Sequence, residues 1–152
     1  QEQLLGWTSV VLSGNPISVG STISPVLNHF NTEKERKIVI GEKSLNISDS
    51  VDFSRKVYQH IVSTPFVKLK DGYYTLSAKI KNSPGFSNLE MYAESSGQRL
   101  KYSIEKKNED WITIKIDRIP IRKGAIEVGF LAKGKAGAYC FIDDISLVER
   151  HR

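Results

Sequence analysis

Nine consecutive residues, Tyr73 to Lys81, alternate without a break. Tyr74, Leu76, Ala78 and Ile80 fall on one side, and Tyr73, Thr75, Ser77, Lys79 and Lys81 on the other. A period of two belongs to a strand with one face in a core and the other in water, and a helix cannot reproduce it. The same pattern recurs in Trp7 to Leu12, Val57 to Val62, the run holding Leu89, Met91 and Ala93, Leu100 to Ile104, Trp111 to Ile116 and Ala125 to Leu131. Two shorter pieces, Ile38 to Ile40 and Ser44 to Ile47, flank Gly41. Turn signals separate them: Lys70-Asp71-Gly72, Pro84-Gly85 and Ser95 to Gln98. Irregular connections are expected at 14–30, 31–37, 48–53, 106–110 and 119–124. No segment shows sustained helical periodicity, so the predicted class is all-β, a two-sheet β-sandwich of jelly-roll type with about nine to eleven short strands.

The closing stretch, Lys135 to Val148, carries a phase problem. Tyr139, Cys140, Phe141 and Ile142 alternate, two carboxylates follow, and Ile145 and Leu147 resume. Strict alternation from an inward Ile142 would bury Asp144 and expose Ile145, a costly arrangement for an unpaired carboxylate. A one-residue bulge at Asp143-Asp144 removes the conflict. It puts Ile142, Ile145 and Leu147 on the core side and leaves Tyr139, Phe141 and Asp143 outward.

At 152 residues the chain suits a single domain, residues 1–152, with a core of its own. No apolar run approaches membrane length, so membrane insertion is not expected. No signal-peptide pattern heads the chain, which reads as a mature protein or a piece cut from a longer one. The net charge of +5 permits an acidic partner, but Lys and Arg are scattered through the strands. Nucleic acid is not expected, because the glycine-aromatic strand motifs of the common RNA-binding sheets are missing. Cys140, the one cysteine, reads as a small core residue with no His near in sequence to activate it. Three scattered His residues give no metal-ligand spacing. Asp143 and Asp144 are poorly placed as the acid and base of a glycosidase, since neighbours on a strand point to opposite faces. Asn46-Ile47-Ser48 matches a glycosylation acceptor but lies inside an expected strand.

Six segments in order resemble the carbohydrate-binding modules of the galactose-binding-like β-sandwich superfamily. They are Gly41 to Ile47, Val57 to Ile61, Leu69 to Ala78, Trp111 to Ile116, Ala125 to Phe130 and Ile142 to Leu147. Ala136-Gly137-Ala138-Tyr139-Cys140 ahead of the Asp pair looks most like modules attached to galactan- and pectin-degrading enzymes. The resemblance implies a non-catalytic domain that holds a glycoside hydrolase or polysaccharide lyase on its substrate. Its partners would be a polysaccharide or oligosaccharide and the catalytic domain of the parent enzyme. It implies a bacterial protein that is secreted, periplasmic or at the cell surface. In that family a structural Ca2+ often sits beside the closing Asp, which points to Asp143 and Asp144 as its ligands. The chain departs from the family in two places. Only Gln1 to Leu5 precede Gly6-Trp7, and Lys79 stands where an aromatic is common.

A sugar site needs an exposed ring for the C–H face of a pyranose and polar groups for its hydroxyls. The outward set that meets this need is Tyr58, His60, Lys79, Tyr92, Tyr139 and Phe141, with Trp7, Trp111 and Arg99 near loop ends. Galactan or a pectic side chain is the expected ligand. An acidic or sulfated glycan is the alternative, should the lysines share one face with the rings. The reading from another class is a structural β-sandwich that packs on a catalytic domain and binds no sugar.

Overall fold

The computed structural model describes residues 8–13, 29–30, 37–39, 45–63 and 69–150. Eleven strands appear there: β1 (Thr8–Ser13), β2 (His29–Phe30), β3 (Lys37–Val39), β4 (Leu45–Ser48), β5 (Phe53–Val62), β6 (Gly72–Asn82), β7 (Phe86–Ser95), β8 (Gln98–Ser103), β9 (Asn108–Ile121), β10 (Ala125–Gly134) and β11 (Tyr139–Arg150). They make two antiparallel sheets. The first has the order β1-β5-β10-β7-β8. The second has the order β2-β3-β11-β6-β9, with β4 also pairing β11. The class is therefore an all-β sandwich, as the alternation predicts.

The sandwich closes because each long strand presents one apolar face. In the second sheet, Tyr74, Leu76, Ala78 and Ile80 are all buried, as expected from the sequence. They pack with Ile114, Ile116, Cys140, Ile142, Ile145 and Leu147 against Val57, Ile61, Leu89, Met91, Val128 and Phe130 of the first. Burial of Cys140 pushes its thiol up to about 12, so it stays protonated and apolar in the core.

The expected bulge is present. Asp143 faces Lys79 and Ser146 faces Ser77, so three steps on β11 match two on β6, and Asp144 takes a left-handed φ of 51°. Ile145 is turned inward as a result.

The observed strands are longer than the apolar runs suggest. β5 begins at Phe53, whereas the sequence reading places 48–53 in a loop and starts the strand at Val57. The extension puts Arg55 on the inward face, fully buried, where its guanidinium pairs with Asp49 of the preceding loop. A buried cation is tolerated because it has that partner and the Ser54 carbonyl. β9 spans Asn108–Ile121, so the loops expected at 106–110 and 119–124 shrink to short turns. Its register slips twice against β6, and Arg118 has a left-handed φ of 58°, which hides the alternation in the sequence. β10 runs on to Gly134 rather than ending at Leu131. The expectations for Trp7, for Ile40 to Ser44, for most of the 14–30 and 31–37 connections and for the Thr64-Pro65 step lie outside the described residues.

Candidate functional site

The structure divides the candidate residues between opposite outer faces. Tyr58, His60, Tyr92 and Arg99 lie on the first sheet, and Lys79, Trp111, Tyr139 and Phe141 on the second. Strand pairing places Tyr58, Gly129, Tyr92 and Lys101 in one row across β5, β10, β7 and β8. Lys56, Leu131, Glu90 and Ser103 form the row on one side, and His60, Glu127, Glu94 and Arg99 the row on the other.

Tyr92 corrects one expectation. It points outward but is 0 % exposed, so it offers no open ring face. Gly129 lets it lie across β10, since a Cβ there would come within 2.8 Å of the Tyr92 ring and 2.6 Å of the Val57 carbonyl oxygen. Arg99 sits 4.2 Å from the ring centroid, and the phenol donates a hydrogen bond to Glu127 Oε2. Burial, followed by that bond and the Glu127 charge, pushes the phenol far above its ordinary range. Burial on its own would raise the Glu127 carboxyl. The Tyr92 hydrogen bond, Lys56 and His60 outweigh it and hold the carboxyl below its ordinary value.

The rest of this face is closed in the same way. Lys56 Nζ lies 3.5 Å from Glu127, and His60 Nε2 lies 3.0 Å from it. Arg99 pairs with Glu94 at 3.2 Å and Lys101 with Glu90 at 3.8 Å. Lys56 also covers the Tyr58 ring at 4.7 Å, and His60 meets that ring edge-on at 6.0 Å. In these rows each carboxylate has a cation, and both rings already have one over them.

The second sheet presents the opposite arrangement. Tyr139 and Phe141 project outward from β11, with centroids 5.6 Å apart and planes at 57°. Tyr139 is 45 % exposed and Trp111 of β9 is 41 % exposed. Lys81 of β6 stands between Trp111 and Phe141, with Nζ 5.1 Å and 6.0 Å from their centroids. Lys79, one row away, pairs with Asp144 at 3.3 Å. Trp111 is a strand residue, and it reaches this face because β9 carries two extra residues opposite Lys81. Lys81 belongs to this corner and is missing from the sequence-derived set. Its place in the outward series of β6 was the available signal.

Asp143 and Asp144 do not make an oxygen cage. Asp143 Oδ1 accepts the Asp144 backbone N–H at 2.8 Å, and Asp144 Oδ2 faces Lys79. Among the described residues, no three His, Cys, Asp or Glu side chains converge as a metal site. Ca2+ takes six to eight oxygens, so a site beside this pair would also need backbone carbonyls, waters or further side chains.

No family model matches the chain, and no curated protein matches it. Solved structures share its fold. A family 61 carbohydrate-binding module, TmCBM61 in complex with β-1,4-galactotriose, superposes with a TM-score of 0.68 at 20 % identity, over 97 % of this chain and 91 % of that one. A cyclase from Fischerella sp. TAU gives 0.58 at 15 % identity, over 95 % and 84 %. The CBM22-1-GH10 modules of Clostridium thermocellum xylanase 10B, complexed with xylohexaose, give 0.52 at 16 % identity, over 97 % of this chain and 26 % of that one. The chain has the β-sandwich fold of carbohydrate-binding modules, and at these identities the likeness speaks to fold alone.

Proposed function

We propose that the protein is a non-catalytic carbohydrate-binding module whose sugar site is the aromatic corner formed by Tyr139, Phe141, Trp111 and Lys81. The observation that carries this reading is the gathering of Tyr139, Phe141 and Trp111 around Lys81 on the outer face of the second sheet, with Tyr139 and Trp111 half-exposed, whereas Tyr92 on the first sheet is fully buried beneath Arg99. Rings gathered into one exposed patch mark an interaction surface, which rings scattered singly do not. A pyranose can lay its C–H face on such a ring and turn its hydroxyls toward Lys81, Lys79 and the neighbouring strand polar groups.

A galactose-containing polymer suits the corner best. The axial C4 oxygen of galactose leaves one face of the ring unusually apolar, and a 1,4-linkage through it makes the chain turn. Rings at 57° to each other offer a bent surface rather than a flat one. The TmCBM61 structure, which holds β-1,4-galactotriose on the same fold, supports that choice. On this reading the module is exported by a bacterium and holds a glycoside hydrolase or polysaccharide lyase on galactan or a pectic side chain.

Affinity electrophoresis tests the proposal. The protein is run through gels holding β-1,4-galactan, xylan, polygalacturonate or a sulfated glycan. Retardation by galactan, lost in Tyr139→Ala with the melting temperature unchanged, is the expected result. Retardation by none of them overturns it in favour of a structural domain that packs on a catalytic partner.

A further inference from the structure

A cleft of about 370 Å³ opens at the end of the sandwich where β5 and β7 begin and β10 ends. Asp52, Phe53, Phe86, Lys133, Gly134 and Lys135 are among the residues that line it. Its floor is apolar: Phe53 and Phe86 meet edge to face at 6.0 Å and 89°. Gly134 is required there, because a Cβ would lie 2.9 Å from Phe53 Cζ and 3.1 Å from Phe86 Cδ1. The walls are pinned by hydrogen bonds. The Lys135 N–H donates to the Gly85 carbonyl at 2.9 Å, Ser87 Oγ to the Lys133 carbonyl at 3.2 Å, and the Ala136 N–H to Asp52 Oδ1 at 3.0 Å.

The rim is charged and unbalanced. Lys133 and Lys135 are exposed, and neither pairs with a carboxylate among the described residues. Asp52 is the one carboxylate in the lining. Its Oδ1 accepts the Ala136 N–H, which holds the carboxylate in place. An apolar floor, fixed walls, two ammonium donors and one positioned acceptor make a complementary set for a sugar acid. The C–H face of the ring would sit on Phe86, the carboxylate would meet the lysines, and a hydroxyl would donate to Asp52.

We infer that this cleft is a second saccharide site, specific for a uronic acid residue at the end of a chain. It shares no residue with the Tyr139 corner and does not depend on that site binding sugar. Its volume lies near the lower end of the usual ligand-site range of about 300–1,000 Å³, which suits a chain end rather than a long segment.

The test is an amide chemical-shift titration of the isotope-labelled protein with D-galacturonate, methyl β-D-galactoside and sodium acetate in turn. Galacturonate is expected to shift the amides of 85–87 and 133–136 in a saturable way that weakens as salt is raised. The Lys133→Gln, Lys135→Gln double variant should weaken this binding about tenfold or more, equivalent to about 1.4 kcal/mol. Both lysines are exposed, so the variant keeps the fold. Tyr139→Ala should leave the titration unchanged, which separates this site from the aromatic corner. Equal response to the neutral galactoside, equal response to acetate, or undiminished binding in the double variant would overturn the inference.

Discussion

Tyr92 and Tyr139 both point away from the core on well-formed strands, yet one is fully buried and the other is 45 % exposed. The rows around Tyr92 interleave Lys56, Arg99 and Lys101 with Glu90, Glu94 and Glu127, and those charges fold over the rings beneath them. Around Tyr139 and Phe141 the flanking cation, Lys81, lies between aromatic rings instead of against a carboxylate. Outward orientation therefore does not by itself make a ring available. The cross-strand neighbours decide whether its face is spent inside the protein or left for a ligand.

The largest expected effect attacks the closed face. Glu127→Ala removes the acceptor of Tyr92 and the partner of Lys56 and His60. It should destabilise the protein by about 2 kcal/mol in a urea titration while leaving glycan affinity unchanged. A loss of affinity without a loss of stability would reverse the roles of the two faces.

Tyr139→Ala is the matching change on the open face. It should weaken galactan binding about tenfold, or about 1.4 kcal/mol, with unfolding unaltered. Global unfolding instead would show that the ring belongs to the core.

A smaller effect follows from acid. Glu127 is held below its ordinary value of 4.5, so it favours the folded state wherever it is ionised there. That contribution is complete above the unfolded value and fades as pH falls below about 4.5 through the folded one. The stability gap between the wild type and Glu127→Gln should therefore narrow as pH falls below about 4.5, as read by denaturant midpoints.

Tyr58→Ala should do least. Lys56 already occupies one face of that ring, and the change should alter glycan affinity by less than about twofold. A large loss would mean that the Tyr58 row takes part in binding after all.

Where local pattern and global fold demand the same thing, the sequence was readable. The inward series of β6, β7 and β10 and the slip at Asp143-Asp144 follow from period-two alternation alone, because a wrong phase would have buried a bare carboxylate. Arg55 was not readable. Its inward place depends on Asp49, and nothing in the local pattern says that those side chains meet in the interior. The full length of β9 was hidden because its slips fall among Glu109, Asp110, Asp117 and Arg118, which read as a solvated loop. The cleft at Gly134 could not be read either, since its lining comes from three chain segments far apart in sequence.

By itself the sequence determined the all-β class, the inward residues of the long strands and the bulge that frees Tyr139 and Phe141, since each depends only on neighbours along the chain. Which outward rings stay open, which charges cancel and where a cleft forms were decided by strand order and register. Those bring together Glu127 with Tyr92, Lys81 with Trp111, and Gly134 with Phe53 and Phe86. Alternation tells a side chain which way to point, and only its neighbours across the sheet settle what it meets there.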